Sequence, residues 1–202
     1  MEGLTFYWIT WIYWVISTFF MKKGSLSRFY LSLWILMLII ISPYSFSLYD
    51  FEISFASIML LVTLFLMVST IKSLKAAYVL LSSFIIMLAY VCFHLFELFD
   101  PVLLIFPRNW MLAILLISLT FILQANKLYR FIILILGSIQ GEFLYAYILN
   151  KYSFPFLIGS YAYLDAIALS TALAAAWTSF EYLTSFYEKH LNQIEKEKQK
   201  LS

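Results

Sequence analysis

The chain has 202 residues, 64% of them hydrophobic and 20% aromatic, and only 12% are charged. A soluble domain carries about 25% charged and about 45–50% apolar residues, so a water-soluble core is excluded and a polytopic all-α membrane helix bundle is expected. The net charge of +2 carries no information about nucleic acid, which is not an expected partner. The lipid bilayer is, and what matters is where each charge lies along the chain.

A span needs about 20 predominantly apolar residues. Seven stretches satisfy this: Leu4–Met21, Phe29–Leu48, Ile53–Ile71, Ala76–Phe96, Trp110–Ala125, Phe131–Leu149 and Ser160–Leu183. No basic residue precedes the first run, and Lys22 and Lys23 follow it, so it reads as a retained helix and not a signal peptide. The single cysteine, Cys92, falls inside a span and leaves no intramolecular disulfide to form.

Eleven of the thirteen Lys and Arg residues follow the odd-numbered spans: Lys22, Lys23 and Arg28; Lys72 and Lys75; Lys127 and Arg130; Lys189, Lys196, Lys198 and Lys200. Only Arg108 and Lys151 lie opposite, while Glu2, Asp50, Glu52, Glu97 and Asp100 fall in the segments opposite the basic side. The positive-inside rule then places the N-terminus outside and the C-terminus in the cytoplasm. This divides the chain into a seven-helix transmembrane domain, 1–186, and a charged helical tail, 187–202.

The first span carries Trp8, Trp11 and Trp14 beside Tyr7 and Tyr13. Trp8 suits the membrane interface, where the ring and its N–H meet different media; the deeper two suit lipid-facing or interhelical packing. The opening Met1-Glu2-Gly3-Leu4-Thr5-Phe6-Tyr7-Trp8-Ile9-Thr10-Trp11-Ile12-Tyr13-Trp14, followed by Ser17-Thr18-Phe19-Phe20-Met21-Lys22-Lys23, resembles the YphA-like family of small multi-spanning proteins of sporulating Bacillus-type bacteria. The resemblance implies a bacterial plasma membrane and a link to sporulation or envelope assembly. It brings no functional residues with it.

In the second span, Pro43 lacks an N–H and is expected to kink the helix near its outer end, with Ser42, Ser45 and Ser47 available to satisfy freed backbone groups. At the end of the fourth span, His94, Glu97 and Asp100 are spaced i, i+3, i+6 and share a helix face. That spacing suits a proton relay, and equally a hydrated helix end.

The sixth span holds the most loaded stretch, Gly137-Ser138-Ile139-Gln140-Gly141-Glu142. Gly137 and Gly141 form a GxxxG pair that permits close backbone approach in lipid. In the seventh span Ala168, Ala172 and Ala176 form a small-residue stripe, so a tight sixth–seventh helix pair is expected; the same faces would suit a homodimer or a membrane-protein partner. Counted from Arg130 at ~1.5 Å per residue, Glu142 lies ~18 Å up its helix, near the middle of a ~30 Å core. Asp165, counted from Glu181, lies ~24 Å up its own. A charge at such depth is costly, so Glu142 is expected to face the bundle, with Gln140, His94, Arg108, Lys151, Tyr145 and Tyr163 as candidate partners. Beyond Glu181 no glycine or proline occurs, so the last helix is expected to continue into the cytoplasm, with Leu183, Tyr187, Leu191 and Ile194 as a modest apolar stripe.

Several chemistries lack their residues. Only two histidines, His94 and His190, are present, too few for a zinc hydrolase. No lysine sits deep in a span for a Schiff base, and no Walker loop, dinucleotide fingerprint or CxxC occurs. Neither an enzyme activity, nor a cofactor, nor a metal is expected. The leading expectation is an interaction or scaffold protein of the plasma membrane. The alternative is a small-molecule, ion or proton transporter or sensor, with an outward-facing site built from His94, Glu97, Glu142 and Asp165.

Overall fold

The structure, a computed structural model, describes residues 2–48, 51–100, 102 and 104–201, with side chains described to Glu188. It is an all-α bundle with one small sheet. The helices are α1 (Leu4–Val15, continued by a π-helical turn Ile16–Phe20), α2 (Leu26–Ile41), α3 (Phe55–Ser69), α4 (Ser73–Phe99), α5 (Arg108–Leu123), α6 (Lys127–Asn150) and α7 (Tyr161–Leu201). By length and composition two of them, α4 and α6, are long and apolar enough to cross a membrane, whereas α1 with its π turn, α2, α3 and α5 are apolar but shorter. The outer surface is rich in large apolar side chains, Trp8, Phe19, Phe20, Leu66 and Leu81 among them. That is the surface a bilayer solvates and water does not.

Local chemistry sets the helix starts. Ser25 accepts from the Arg28 N–H, Ser54 from Ala56 and Asn126 from Leu128, each satisfying a first-turn donor with no partner inside its helix. Helix α1 has no cap of its own. Asp165, on α7, supplies one: its two carboxylate oxygens accept from the Gly3 and Phe6 N–H groups, both at 2.7 Å. At the other end of the bundle Glu181 of α7 receives Arg130 Nη1 at 2.8 Å and Lys127 Nζ at 3.5 Å, with Trp177 Nε1 donating to it at 3.0 Å.

Pro43 ends α2 rather than kinking it. The helix stops at Ile41, Ser42 Oγ donates to the Ile39 carbonyl, and strand β1 (Ser45–Leu48) follows. Strand β1 pairs antiparallel with β2 (Phe51–Ser54), and β2 pairs parallel with β3 (Leu157–Ile158). The stretches Ser45-Phe46-Ser47-Leu48 and Phe51-Glu52-Ile53-Ser54 alternate polar and apolar residues, the two-residue period of a strand. Residues 45–48 and 53–54, assigned to spans from hydropathy alone, are therefore sheet. Ile53 and Ile158 bury against Ala146 of α6, which satisfies irregular backbone inside protein rather than in lipid.

The glycines of α6 meet α4 and not α7. A Cβ on Gly137 would lie 2.5 Å from Ile86 Cβ, and one on Gly141 would lie 2.7 Å from the Tyr90 ring. Helices α4 and α6 thus form the most extensive helix pair, a correction to the expected sixth–seventh pairing. On α7 the expected stripe runs out of the core, since Ala168 is buried, Ala172 half-buried and Ala176 exposed. The buried small residues are one line over: Ala166, Ser170, Ala174 and Thr178. Helix α7 is 41 residues long, about 62 Å by helical rise, so it runs well past the bundle. Leu183 and Tyr187 are exposed on it. Asp50, His190, Leu191, Ile194 and the tail lysines lie outside the residues whose side chains are described.

Candidate functional site

Three of the four expected site residues converge where α4, α5, α6 and the β3–α7 turn meet. His94 is 3% exposed and Glu142 1% exposed. His94 Nδ1 lies 3.1 Å from Glu97 Oε2, as the i, i+3 spacing implies. Arg108, the first residue of α5, closes the group: its Nε is 3.1 Å from Glu97 Oε2 and its Nη2 3.1 Å from His94 Nδ1. A single ring nitrogen cannot both donate to Glu97 and accept from Arg108. His94 Nδ1 therefore either donates to Glu97 or accepts from Arg108, according to which ring nitrogen carries the proton. His94 Nε2 is buried without a hydrogen-bond partner among the described residues. Asp100, the third residue of the expected face, is exposed and accepts from the Val102 N–H instead.

Glu142 sits one layer deeper. Tyr90 Oη donates to its Oε2 and the Gly159 N–H to its Oε1, the latter at 3.3 Å. Gly159 has φ of 75°, and a Cβ there would lie 2.6 Å from Ser57 Cβ. Only glycine can turn the chain here and press its N–H down onto a carboxylate. No cation lies within salt-bridge distance of Glu142 among the described residues. Fixed donors therefore satisfy both oxygens of the buried carboxyl group, which would be costly to leave without partners.

Among the described residues none of the expected partners hydrogen-bonds to Glu142, although His94, Arg108 and Tyr163 share a cavity with it. Gln140 meets Ser83, and Lys151 is exposed. Tyr163 Oη reaches Ser138 at 3.4 Å, and Tyr145 packs beside the His94 ring at 5.2 Å between centroids. Tyr90 is the residue the sequence reading missed, and its ring also stands edge-on to His94 at 4.4 Å.

A cavity of about 70 Å³ joins the layers, lined by Tyr90, His94, Arg108, Glu142, Ser160 and Tyr163, among others. At ~10–15 Å³ per water it takes a few waters or one small solute. Asp165 does not belong to this group: its carboxylate is committed to the start of α1. Among the described residues no three His, Cys, Asp or Glu side chains are placed to hold a metal ion.

An apolar helical bundle with an ionisable cluster at one end, His94 and Glu142 buried within it, defines an integral membrane protein with a polar site. The chain belongs to the family described as YphA-like integral membrane protein, whose family model matches residues 2–200. The likeness visible in the opening residues thus extends over nearly the whole chain. It is 29% identical over 185 residues to YphA of Bacillus subtilis (strain 168), a protein itself described as uncharacterized, with 92% of each chain covered. No solved structure matches the chain.

Proposed function

We propose that this is a non-enzymatic, multi-pass protein of the bacterial plasma membrane that takes up a proton, alone or with a small solute, at the His94–Glu97–Arg108–Glu142 cluster, as a transporter or sensor. The single observation that carries the reading is Glu142, which is buried with no ion pair among the described residues and held by Tyr90 and Gly159 beside a small polar-lined cavity. Ionisable side chains inside membrane helices are rare, face the bundle interior and mark proton, ion or substrate paths. The proposed orientation puts this end outside: seven helices alternate in direction, the N-terminus is external, and the basic ends of α4, α6 and α7 face the cytoplasm. Arg108 and Glu97 then form the outer gate, and Glu142 the inner acceptor.

Proteoliposomes loaded with a pH-sensitive dye test this. After an external pH step the wild type is expected to change lumenal pH faster than protein-free vesicles, and Glu142→Gln to match the protein-free rate at an unchanged melting temperature. A Glu142→Gln protein that equilibrates as fast as wild type would sink the reading.

A second reading, an interaction or scaffold protein, is favoured by α7 beyond Glu181, where Tyr182, Leu183, Phe186 and Tyr187 are exposed on a helix that outruns the bundle. Truncation after Phe186 is expected to abolish partner capture while the bundle still melts cooperatively. A role in sporulation or envelope assembly rests only on the kinds of bacteria in which the family resemblance places the chain.

A further inference from the structure

Helix α2 stands apart from the rest of the bundle. Its principal contacts are with α1, the π-helical turn and α3, and between it and α6 the core opens. One apolar cavity of about 480 Å³ runs from Phe6 and Tyr13 down to Phe131. A second, of about 560 Å³, continues to Ser27, Met67 and Leu128. Leu31, Trp34, Leu60, Phe131 and Ile135 line both. Along α2 the combined groove extends from Ser27 to Leu38, about 17 Å by helical rise. That is about one leaflet of a ~30 Å hydrocarbon core.

The lower end of the groove has a different character. Met67, Leu128 and Ile132 also line a third cavity, of about 450 Å³, whose other walls include Thr70, Lys72, Lys75 and Tyr129. Lys72 and Lys75 are exposed, and among the described residues neither is in an ion pair. They flank the start of α4, which has no side-chain cap. Its first N–H groups and the positive end of its dipole therefore add to the two ammonium groups.

We propose that this groove is a binding site for one anionic glycerophospholipid. Its phosphate sits against Lys72, Lys75 and the α4 N-terminus, and an acyl chain lies between α2, α3 and α6. The occupant is a lipid because the body of the groove is apolar along a full leaflet's depth. It is anionic because the end of the groove that meets Lys72 and Lys75 is cationic. A basic pocket between membrane helices is where acidic headgroups are held most strongly. The bound chain completes the core that α2 leaves open, so the lipid acts as a structural part of the bundle. The site is separate from the His94–Glu142 cluster, and neither reading depends on the other.

Native mass spectrometry of the full chain, delipidated in detergent and offered equal amounts of dioleoyl-phosphatidylglycerol and dioleoyl-phosphatidylcholine, tests the proposal. One phosphatidylglycerol per chain is expected to persist, favoured over phosphatidylcholine on the order of tenfold. The double variant Lys72→Gln/Lys75→Gln, which touches no buried residue, is expected to lose that preference. Leu31→Trp, which fills the groove from its rim, is expected to lose both adducts. Equal retention of the two lipids by the wild type, or an undiminished phosphatidylglycerol adduct on the lysine variant, overturns the proposal. So does a lipid-free dimer, which would put a second copy in the groove.

Discussion

The two faces of α6 are built on opposite principles. Toward α4 it offers Gly137 and Gly141, and the neighbouring backbone and the Ile86 and Tyr90 side chains come so close that no Cβ fits. Toward α2 it offers Phe131 and Ile135, and there the walls do not meet. In a bilayer, helix pairs form through shape fit and interhelical hydrogen bonds, since lipid tails are as apolar as the side chains they would displace. The α4–α6 seam has both: glycine grooves filled by ridges, and the Tyr90–Glu142 hydrogen bond across it. The α2–α6 gap has neither, and a lipid-like filling satisfies it as well as protein would. The buried polar site therefore occupies the rigid seam, where geometry is fixed, and the open apolar volume lies where geometry is loose.

The largest effect expected from breaking the seam comes from its glycines. At Gly137 the added methyl of alanine would sit 2.5 Å from Ile86 Cβ and 2.6 Å from the Ser83 carbonyl. Backbone cannot retreat as a flexible side chain can. Overpacking of this kind costs about 1–3 kcal/mol for a methylene or so. Gly137→Ala is expected to lower the melting temperature in detergent clearly, and Gly137→Leu to prevent recovery of folded protein. A Gly137→Ala protein that melts like wild type would mean the helices are not in contact there.

How much of this was legible in the sequence depends on what each feature requires. The helices were readable because hydropathy is a local property, and α4 and α6 match their expected spans to within a few residues. The GxxxG signal correctly announced a close approach. It could not name the partner, because that depends on ridges formed by Ser83, Ile86 and Tyr90 on another helix. The His94–Glu97 pair was readable from helical spacing, whereas its closure by Arg108 was not, since that contact crosses the α4–α5 connection. Tyr90 was hidden among the 15 tyrosines of the chain. Gly159 was hidden because a lone glycine before a helix is commonplace until its N–H is found on a carboxylate. Asp165 misled the reading for a simple reason. Depth was estimated along its own helix, and the first turn of α1, which needs the carboxylate, is distant in sequence. The short strands were lost inside spans because strongly apolar alternation raises mean hydropathy as a helix would.

A smaller effect sharpens the comparison from the side of α1. Because Asp165 caps α1 from α7, the first helix is tied to the body of the bundle, and the looseness belongs to α2 alone. Asp165→Ala leaves the Gly3 and Phe6 N–H groups without their acceptors in a buried place. Hydrogen bonds to a charged group are worth about 1.5–3 kcal/mol each, and two lost together need not add fully. The expected result is faster hydrogen exchange confined to the first turn of α1, with a fall in stability of about 1–2 kcal/mol, since fraying of that turn lets water recover part of the loss. Asp165→Asn, which keeps one acceptor oxygen in place, is expected to recover part of it. Exchange that instead accelerates around His94 and Glu142 would return Asp165 to the polar site.

The smallest effect is the most direct comparison, because it enlarges a side chain on the other face of the same helix. Ile135 lines both halves of the α2 groove and is only partly buried. Ile135→Phe adds a volume similar to that of Gly137→Ala, yet it extends into space that no protein atom fills. A cavity-filling change in an apolar site adds contacts without strain. The expected shift in melting temperature is small and upward, corresponding to about 0.5–2 kcal/mol at most. The sign decides between two accounts of α2. A rise means the gap is a true packing deficit beside a rigid α6. A fall comparable to that of Gly137→Ala would mean α2 closes on α6 in the membrane, and the contrast between the two faces would disappear.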